Sequence, residues 1–279
     1  MDAGSDWVLG FVGAGVMAET MIAGVLDRGG LTPDRVVASD PNAGRRDHMT
    51  SRYGVQMTPD NGQVVDAADL VVLAVKPQHL ASVLPDLRGR FRPETQVLSI
   101  VAGASLDALR GGLEHPRVAR AMPNLPCRIH KGMTVWTGAA DAHGNRIEQV
   151  LLGCGEALRV DWESDVDRAT AVNGTGPAIV AQFVKALTEA ATYIGQPREL
   201  ARETVLATLL GTAEMIRASD DHVAQLIDQV TSPGGTTSRA LQVLRQGRFD
   251  AVVTESVDAA YQRTLELGAA FADKLQDAD

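Results

Sequence analysis

The residues best suited to chemistry in this chain lie in VTSPGGTTSRAL, Val230–Leu241, where Ser232, Thr236 and Thr237 surround Pro233, Gly234 and Gly235. Proline fixes one backbone angle, the two glycines admit positive φ, and a threonine suits the cap of a following helix. Such a turn aims several backbone N–H groups and hydroxyls at one point. Unpaired amides at a helix N-terminus take an anion, so a small carboxylate or phosphate is the natural guest. A well-capped loop between two helices is the other reading of the same residues.

A second group lies near the start. Gly13-Ala14-Gly15-Val16-Met17-Ala18 spells G-x-G-x-x-A between a strand pattern at Trp7–Val12 and a helical pattern at Met17–Leu26. In that setting the first glycine makes the turn, the second lets backbone approach a pyrophosphate, and the small third residue lets the helix pack closely. The bland alternative is a tight βα turn without a ligand. The next strand pattern, Arg35–Ser39, runs into Asp40, about 20 positions beyond the turn, where an acid binds a ribose 2′-OH and favours NADH. Arg45 and Arg46 follow at once and suit the 2′-phosphate of NADPH, so the signals conflict. Capping by Asp40 and a solvated arginine face explain the same residues without a ligand. Ala74-Val75-Lys76-Pro77 ends another strand pattern and Ala102-Gly103 a fourth, both where loops face a cofactor. Lys76 is placed to contact the nicotinamide ribose or a phosphate.

Positioning these groups requires two kinds of architecture. Strand patterns at Trp7–Val12, Arg35–Ser39, Leu70–Ala74, Gln96–Val101, Val118–Ala121 and Met133–Thr137 alternate with helical segments, which predicts an α/β fold with a Rossmann-like doubly wound parallel sheet. Beyond Asp165 the pattern turns helical: Ala178–Ile194, Leu200–Arg217, His222–Gln229, Thr237–Gln246 and Ala251–Leu267. The boundary falls near Asp161–Asp167, giving a dinucleotide domain at 1–163 and an all-α substrate and dimerisation domain at 164–279. Ala178–Ile194 is apolar on nearly all sides, with only Gln182, Lys185, Glu189 and Thr192 as a polar stripe. A helix of that kind needs cover on most sides, which implies a homodimer at least.

Composition narrows the partners. A formal charge of −9 over 279 residues argues against the basic face that nucleic acid or an anionic membrane would require, and for a small-molecule partner. Cys127 and Cys154 are the only cysteines and lack metal-ligand spacing, so neither a disulfide framework nor a metal site is expected, and a reducing cytoplasm fits. The first residues, with Asp2 and Asp6 ahead of the Gly13 turn, do not follow signal-peptide order. No apolar run reaches the roughly 20 residues of a membrane span. His79, His115, His130, His143 and His222 fall in loops or polar faces and read as structural or exposed.

Taken in order, the glycine-rich turn, the Val75-Lys76-Pro77 turn, Arg120-Ala121-Met122-Pro123-Asn124, Gly174-Thr175-Gly176-Pro177-Ala178 and VTSPGGTT give the chain its likeness. It resembles the pyrroline-5-carboxylate reductases over nearly its whole length. The resemblance implies reduction of the cyclic imine Δ1-pyrroline-5-carboxylate to L-proline with NADPH or NADH. It implies that Gly13, Gly15, Val16 and Met17 hold the pyrophosphate and that Ser39 lies near the adenosine ribose. Asn61 and Lys76 would run along the cofactor, with Ala102 and Pro123 near the nicotinamide. Ser232, Gly234, Gly235, Thr236 and Thr237 would meet the substrate, Thr237 as the catalytic hydroxyl, with Asn173 and Thr175 lining its site. The chain carries Asn173 and Thr175 where the family commonly has serines, and Leu125 where it has threonine, so a related imine such as pyrroline-2-carboxylate, a piperideine or a thiazoline carboxylate stays open. A β-hydroxyacid dehydrogenase would use Lys185 as its acid, but Glu189 stands where its partner asparagine belongs, and the pair reads as an i,i+4 contact. A non-catalytic nucleotide-binding protein would share the fold, and retention of both Ser232 and Thr237 argues against it.

Overall fold

The computed structural model describes residues 6–139 and 146–276. Asp2 and His143, both weighed in the sequence, lie outside the described residues. Strands β1 (Leu9–Val12), β2 (Val36–Ser39), β3 (Gln56–Thr58), β4 (Leu70–Leu73), β5 (Gln96–Ser99), β6 (Val118–Met122), β7 (Gly132–Gly138) and β8 (Gly155–Arg159) form one sheet in the order β3-β2-β1-β4-β5-β6-β7-β8. Helices α1 (Val16–Arg28), α2 (Ala43–Tyr53), α3 (Asn61–Ala67), α4 (Pro77–Leu87), α5 (Leu106–Leu113), α6 (Arg146–Leu152) and α7 (Glu163–Ala169) belong to the same part of the chain. The π-helical turn Thr170–Gly174 follows, then α8 (Gly176–Tyr193), α9 (Arg198–Ala218), α10 (Val223–Gln229), α11 (Thr236–Gln246) and α12 (Phe249–Gln276).

Side-chain alternation on the strands divides the core. Leu9, Phe11, Val36, Ala38, Leu70 and Val72 point to one face, where Met21, Ile22 and Val25 of α1 and Val150 and Leu151 of α6 cover them. Val12, Val37, Val71, Leu73 and Val97 point to the other, covered by Val64 and Val65 of α3, Leu80 and Leu84 of α4 and Leu109 and Leu113 of α5. Burial on both faces explains why LVVL of β4 is apolar throughout. The β6–β7 pair is antiparallel because the short Pro123–Lys131 connection cannot make a parallel crossover; β7 and β8 then pair in parallel. Two edge strands, β3 and β8, were absent from the sequence expectation. Both are short or carry exposed polar residues, so their alternation is weak.

Two compact units result, with limits different from the expected 163/164 division. One holds the described residues up to Thr175 together with those from Ala259 onward; the other is Gly176–Asp258. The end of α12 groups with the sheet because Phe271 and Leu275 pack into the second core face. Among the described residues no helix is long and apolar enough to cross a membrane.

Candidate active site

The glycine-rich turn sits where the strand order reverses, since β1 pairs with β2 on one side and β4 on the other. Gly13 holds φ at 92°, and a Cβ there would lie 3.0 Å from the Ala74 carbonyl oxygen, so both conformation and space require glycine. Gly15 differs. A Cβ at Gly15 would meet no heavy atom within 4 Å, and no side chain caps the helix it begins. The turn is therefore closed beneath by protein and open above, with the positive end of α1 at its mouth, which fits a pyrophosphate.

The end of β2, where the sequence reading expects a ribose, is dense with hydrogen bonds. Ser39 is buried and its hydroxyl donates to Asn61 Oδ1 at 2.7 Å, bringing two expected cofactor residues together at the start of α3. The Asp40 carboxylate accepts from the Ala14 N–H at 3.2 Å and from the Asn42 N–H at 2.9 Å. Arg45 reaches back from α2: its Nε donates to the Ala14 carbonyl at 2.5 Å and its Nη2 to the Gly15 carbonyl at 3.2 Å and to Glu19 Oε2 at 2.6 Å. Glu19 also accepts from the Tyr53 hydroxyl and contacts His48, each at 3.0 Å. Burial acts to raise the Glu19 carboxyl, but hydrogen bonds from His48, Arg45 and Tyr53, with the Arg45 charge, outweigh it and hold its pKa at about 2. Arg46 Nη1 donates to the carbonyls of Asp40 and Pro41.

Ala74, Val75, Lys76 and Pro77 join β4 to α4 beside the turn, with Lys76 exposed at the helix N-cap and Pro77 in its first turn. Ala102 is half-buried and Pro123 buried, at the ends of β5 and β6. Gly103 is turned toward protein instead: with φ at 79°, a Cβ there would lie 2.8 Å from the Gly268 nitrogen of α12. Asn173 is likewise committed to protein. Its Nδ2 donates to the carbonyls of Met122 and Met133 at 3.0 and 2.9 Å, and its Oδ1 accepts from Asn124 Nδ2 at 2.7 Å. The Thr175 hydroxyl donates to the Ala171 carbonyl of its own turn. Asn173 thus anchors the π-helical turn to the end of β6 with both amide donors used, and Thr175 braces the turn from within.

In the second unit the Ser232–Thr237 loop begins α11. Gly234 sits at φ 71°, which favours glycine, and a Cβ on Gly235 would displace the Ser232 hydroxyl. Gly235 is the N-cap, with no side-chain hydrogen bond to the helix start, and its N–H donates to the Ser232 carbonyl at 3.0 Å. Thr236 and Thr237 open the helix, Thr237 half-buried and Ser232 exposed. The loop thus ends at a helix N-terminus with the Gly235 N–H turned back onto the loop itself, the kind of start at which an anion is expected. Lys185 pairs with Glu189 at 3.7 Å as an exposed i,i+4 contact.

Comparison with known proteins agrees with this geometry. Residues 163–267 match the family model for pyrroline-5-carboxylate reductase dimerisation, and residues 8–103 match that for coenzyme F420-dependent NADP oxidoreductases. The chain is 38% identical to the pyrroline-5-carboxylate reductase of Synechocystis, over 93% of this chain and 98% of that protein. The chain belongs to the pyrroline-5-carboxylate reductase family. Pyrroline-5-carboxylate reductase 3 of Rattus norvegicus is also 38% identical, over 93% of this chain and 95% of its own. Among solved structures, the Plasmodium falciparum pyrroline carboxylate reductase with NADP bound superposes with a TM-score of 0.85 at 27% identity, covering 95% of this chain and all of that one. The Coxiella burnetii pyrroline-5-carboxylate reductase gives 0.81 at 30% identity, over 94% of this chain and 99% of its own.

In this pyrroline-5-carboxylate reductase family member several groups carry no local sequence signal. Arg120 on β6 is buried and pairs with Glu163 at 2.5 Å and Asp167 at 2.8 Å on α7, while Glu163 also accepts from the Leu106 N–H at 2.7 Å. The triad ties α5, α7 and the strand leading to Met122-Pro123-Asn124. Glu19 and Arg45 lie on different helices, and no periodicity joins them. Cys127 and Cys154 also meet: a hydrogen bond from Cys154 lowers the Cys127 thiol to about 7 against the effect of burial, and the same bond with burial raises Cys154. Of the histidines weighed in the sequence, His79 is exposed on α4 and three others make structural contacts. His115 is buried with Nε2 at 2.7 Å from the Thr95 carbonyl, His130 contacts the Gly153 carbonyl, and His222 caps α10.

Proposed function

We propose that this chain catalyses NAD(P)H-dependent reduction of Δ1-pyrroline-5-carboxylate to L-proline, and that it does so as a homodimer or a multiple of dimers. The observation that carries the reading is the pairing, in one chain of this family, of an open pyrophosphate turn at Gly13–Ala18 with the Ser232–Thr237 anion cradle. The relatives' printed activity is the same.

Gly13, Gly15, Val16 and Met17 hold the pyrophosphate through backbone, and Ser39, Asp40 and Asn61 hold the ribose. The Ala74–Pro77 turn with Lys76, together with Ala102 and Pro123, places the nicotinamide. When bound, the dinucleotide supplies the hydride that the imine carbon accepts. The N–H groups of Thr236 and Thr237 take the substrate carboxylate, and Ser232 closes the loop over it. The Thr237 hydroxyl hydrogen-bonds the ring nitrogen, which gains its proton in the product amine. An iminium carbon accepts hydride readily, so orientation supplies most of the acceleration. Asn173 and Thr175 act through the turn they anchor rather than by touching substrate. By role we divide the chain into a dinucleotide part at 1–163 and a substrate and dimerisation part at 164–279, a division distinct from the compact units, and we place it in the cytoplasm, a setting that two free cysteines fit.

Replacing Thr237 with valine tests the loop assignment. Turnover with pyrroline-5-carboxylate should fall by about 10- to 100-fold, the worth of one hydrogen bond to the reacting group, while dinucleotide affinity stays the same. Turnover equal to that of the unmodified protein would remove Thr237 from the reaction. Parallel assays with pyrroline-2-carboxylate and piperideine carboxylates decide the ring.

A further inference from the structure

We propose that this chain discriminates in favour of NADH over NADPH, and that Glu19 enforces the choice by neutralising Arg45. The inference rests on the dinucleotide reading above. In the sequence Asp40 and the Arg45-Arg46 pair argue in opposite directions; the structure separates them.

Asp40 is placed as a ribose acceptor. Its two oxygens are oriented by the Ala14 and Asn42 N–H groups, at 3.2 and 2.9 Å, which fixes a carboxylate at the rim of the glycine-rich turn. A carboxylate with two such bonds keeps lone pairs for a 2′-hydroxyl. A 2′-phosphate brought to the same place meets a fixed like charge. Arg45 is not available to offset it. Its Nε and Nη2 are taken by the Ala14 carbonyl, the Gly15 carbonyl and Glu19, and Glu19 stands ionised at 2.6 Å. The pair is largely buried, with 23% of the Arg45 side chain and 18% of the Glu19 side chain exposed, so the two charges offset each other at short range. His48 and Tyr53 hold Glu19 from its other oxygen, so the carboxylate cannot swing away from Arg45 without breaking three contacts. Arg46 is the remaining cation. Its Nη1 is spent on the Asp40 and Pro41 carbonyls, which directs the guanidinium to the backbone of the β2–α2 turn. Among the described residues the ribose end thus presents one carboxylate outside any ion pair, one arginine paired with Glu19 and one arginine, still charged, bonded to backbone carbonyls.

The test is binding of NADH and NADPH, each measured by titrating nicotinamide fluorescence without substrate, followed by kcat/KM with each cofactor. NADH should bind about tenfold or more tightly than NADPH. Asp40→Asn keeps an oxygen to accept from Ala14 or Asn42 and removes the charge; it should shift the ratio toward NADPH by about tenfold. Glu19→Gln releases the Arg45 charge and should shift the ratio the same way by several-fold, with circular dichroism confirming a folded chain. Tighter binding of NADPH by the unmodified protein, or an unchanged ratio in Asp40→Asn, would overturn the proposal while leaving the dinucleotide site intact. Failure to bind either dinucleotide would overturn the site itself and the proposal with it.

Discussion

The two compact units treat their apolar side chains differently. In the sheet unit, β1, β2, β4 and β5 are buried at every position and both faces are covered by helices of the same chain. In Gly176–Asp258, α8 has no buried residue, although its sequence is apolar on nearly every side, and Val180, Phe183 and Leu187 are 40% or more exposed. The contrast teaches that periodicity specifies that a surface must be covered but not by which molecule. The sheet unit is finished by its own helices; the helical unit is finished, in the proposed dimer, by a second copy.

Breaking that contrast should have its largest effect on association. Phe183→Glu places a charge on the α8 face and should weaken the dimer by about 100-fold or more, seen as a monomer by light scattering, while dinucleotide binding by the sheet unit persists. A dimer of unaltered strength would mean that α8 is covered by something else. Within the sheet unit the corresponding break is internal. Arg120→Met strands Glu163 and Asp167 without their cation and should cost about 3–5 kcal/mol in denaturant unfolding. A loss under about 1 kcal/mol would show the triad to be solvated.

Smaller effects sharpen the picture of the site. Gly15→Val adds atoms only to open space, so the melting temperature should hold while dinucleotide affinity falls by about tenfold or more. Gly13→Ala should do the reverse first, destabilising the fold by about 1–3 kcal/mol through its positive φ. Equal melting losses in the two variants would contradict the open-above, closed-below geometry. The smallest effect is a pH dependence. The Glu19 pKa is lowered from 4.5 to about 2, so the stabilisation it gives is present above pH 4.5 and is lost as pH falls toward 2. The stability gap between the unmodified protein and Glu19→Gln should therefore close over that window, and a gap constant from pH 6 to about 2 would deny the ionised pair.

Much of the fold was legible because its signals are local. Strand patterns at β1, β2, β4, β5, β6 and β7 and helices α8 to α11 were readable to within a few residues, each marked by burial periodicity or by a turn residue such as Gly13 or Pro77. The short edge strands β3 and β8 were not, because exposed strands lose the alternation that betrays them. Of the site, the glycine turn and the Ser232–Thr237 loop were legible from composition, since positive φ favours glycine at Gly13 and Gly234. The roles of Asn173, Thr175 and Gly103 were not, because a side chain's type states what it can bond and not which partner reaches it first.

The sequence alone determined the backbone devices of this protein: where the chain must turn with positive φ, where helices present open N-termini, and which stretches must be buried. These follow from properties each residue carries wherever it stands. Only the tertiary structure decided which charges remain available. The fold pairs Arg45 with Glu19 of another helix at 2.6 Å, and it spends both amide donors of Asn173 on the carbonyls of Met122 and Met133, pairings that neither residue's type announces. Hydrogen bonds and ion pairs are satisfied by whatever folding brings within about 3 Å, a distance that sequence separation does not encode.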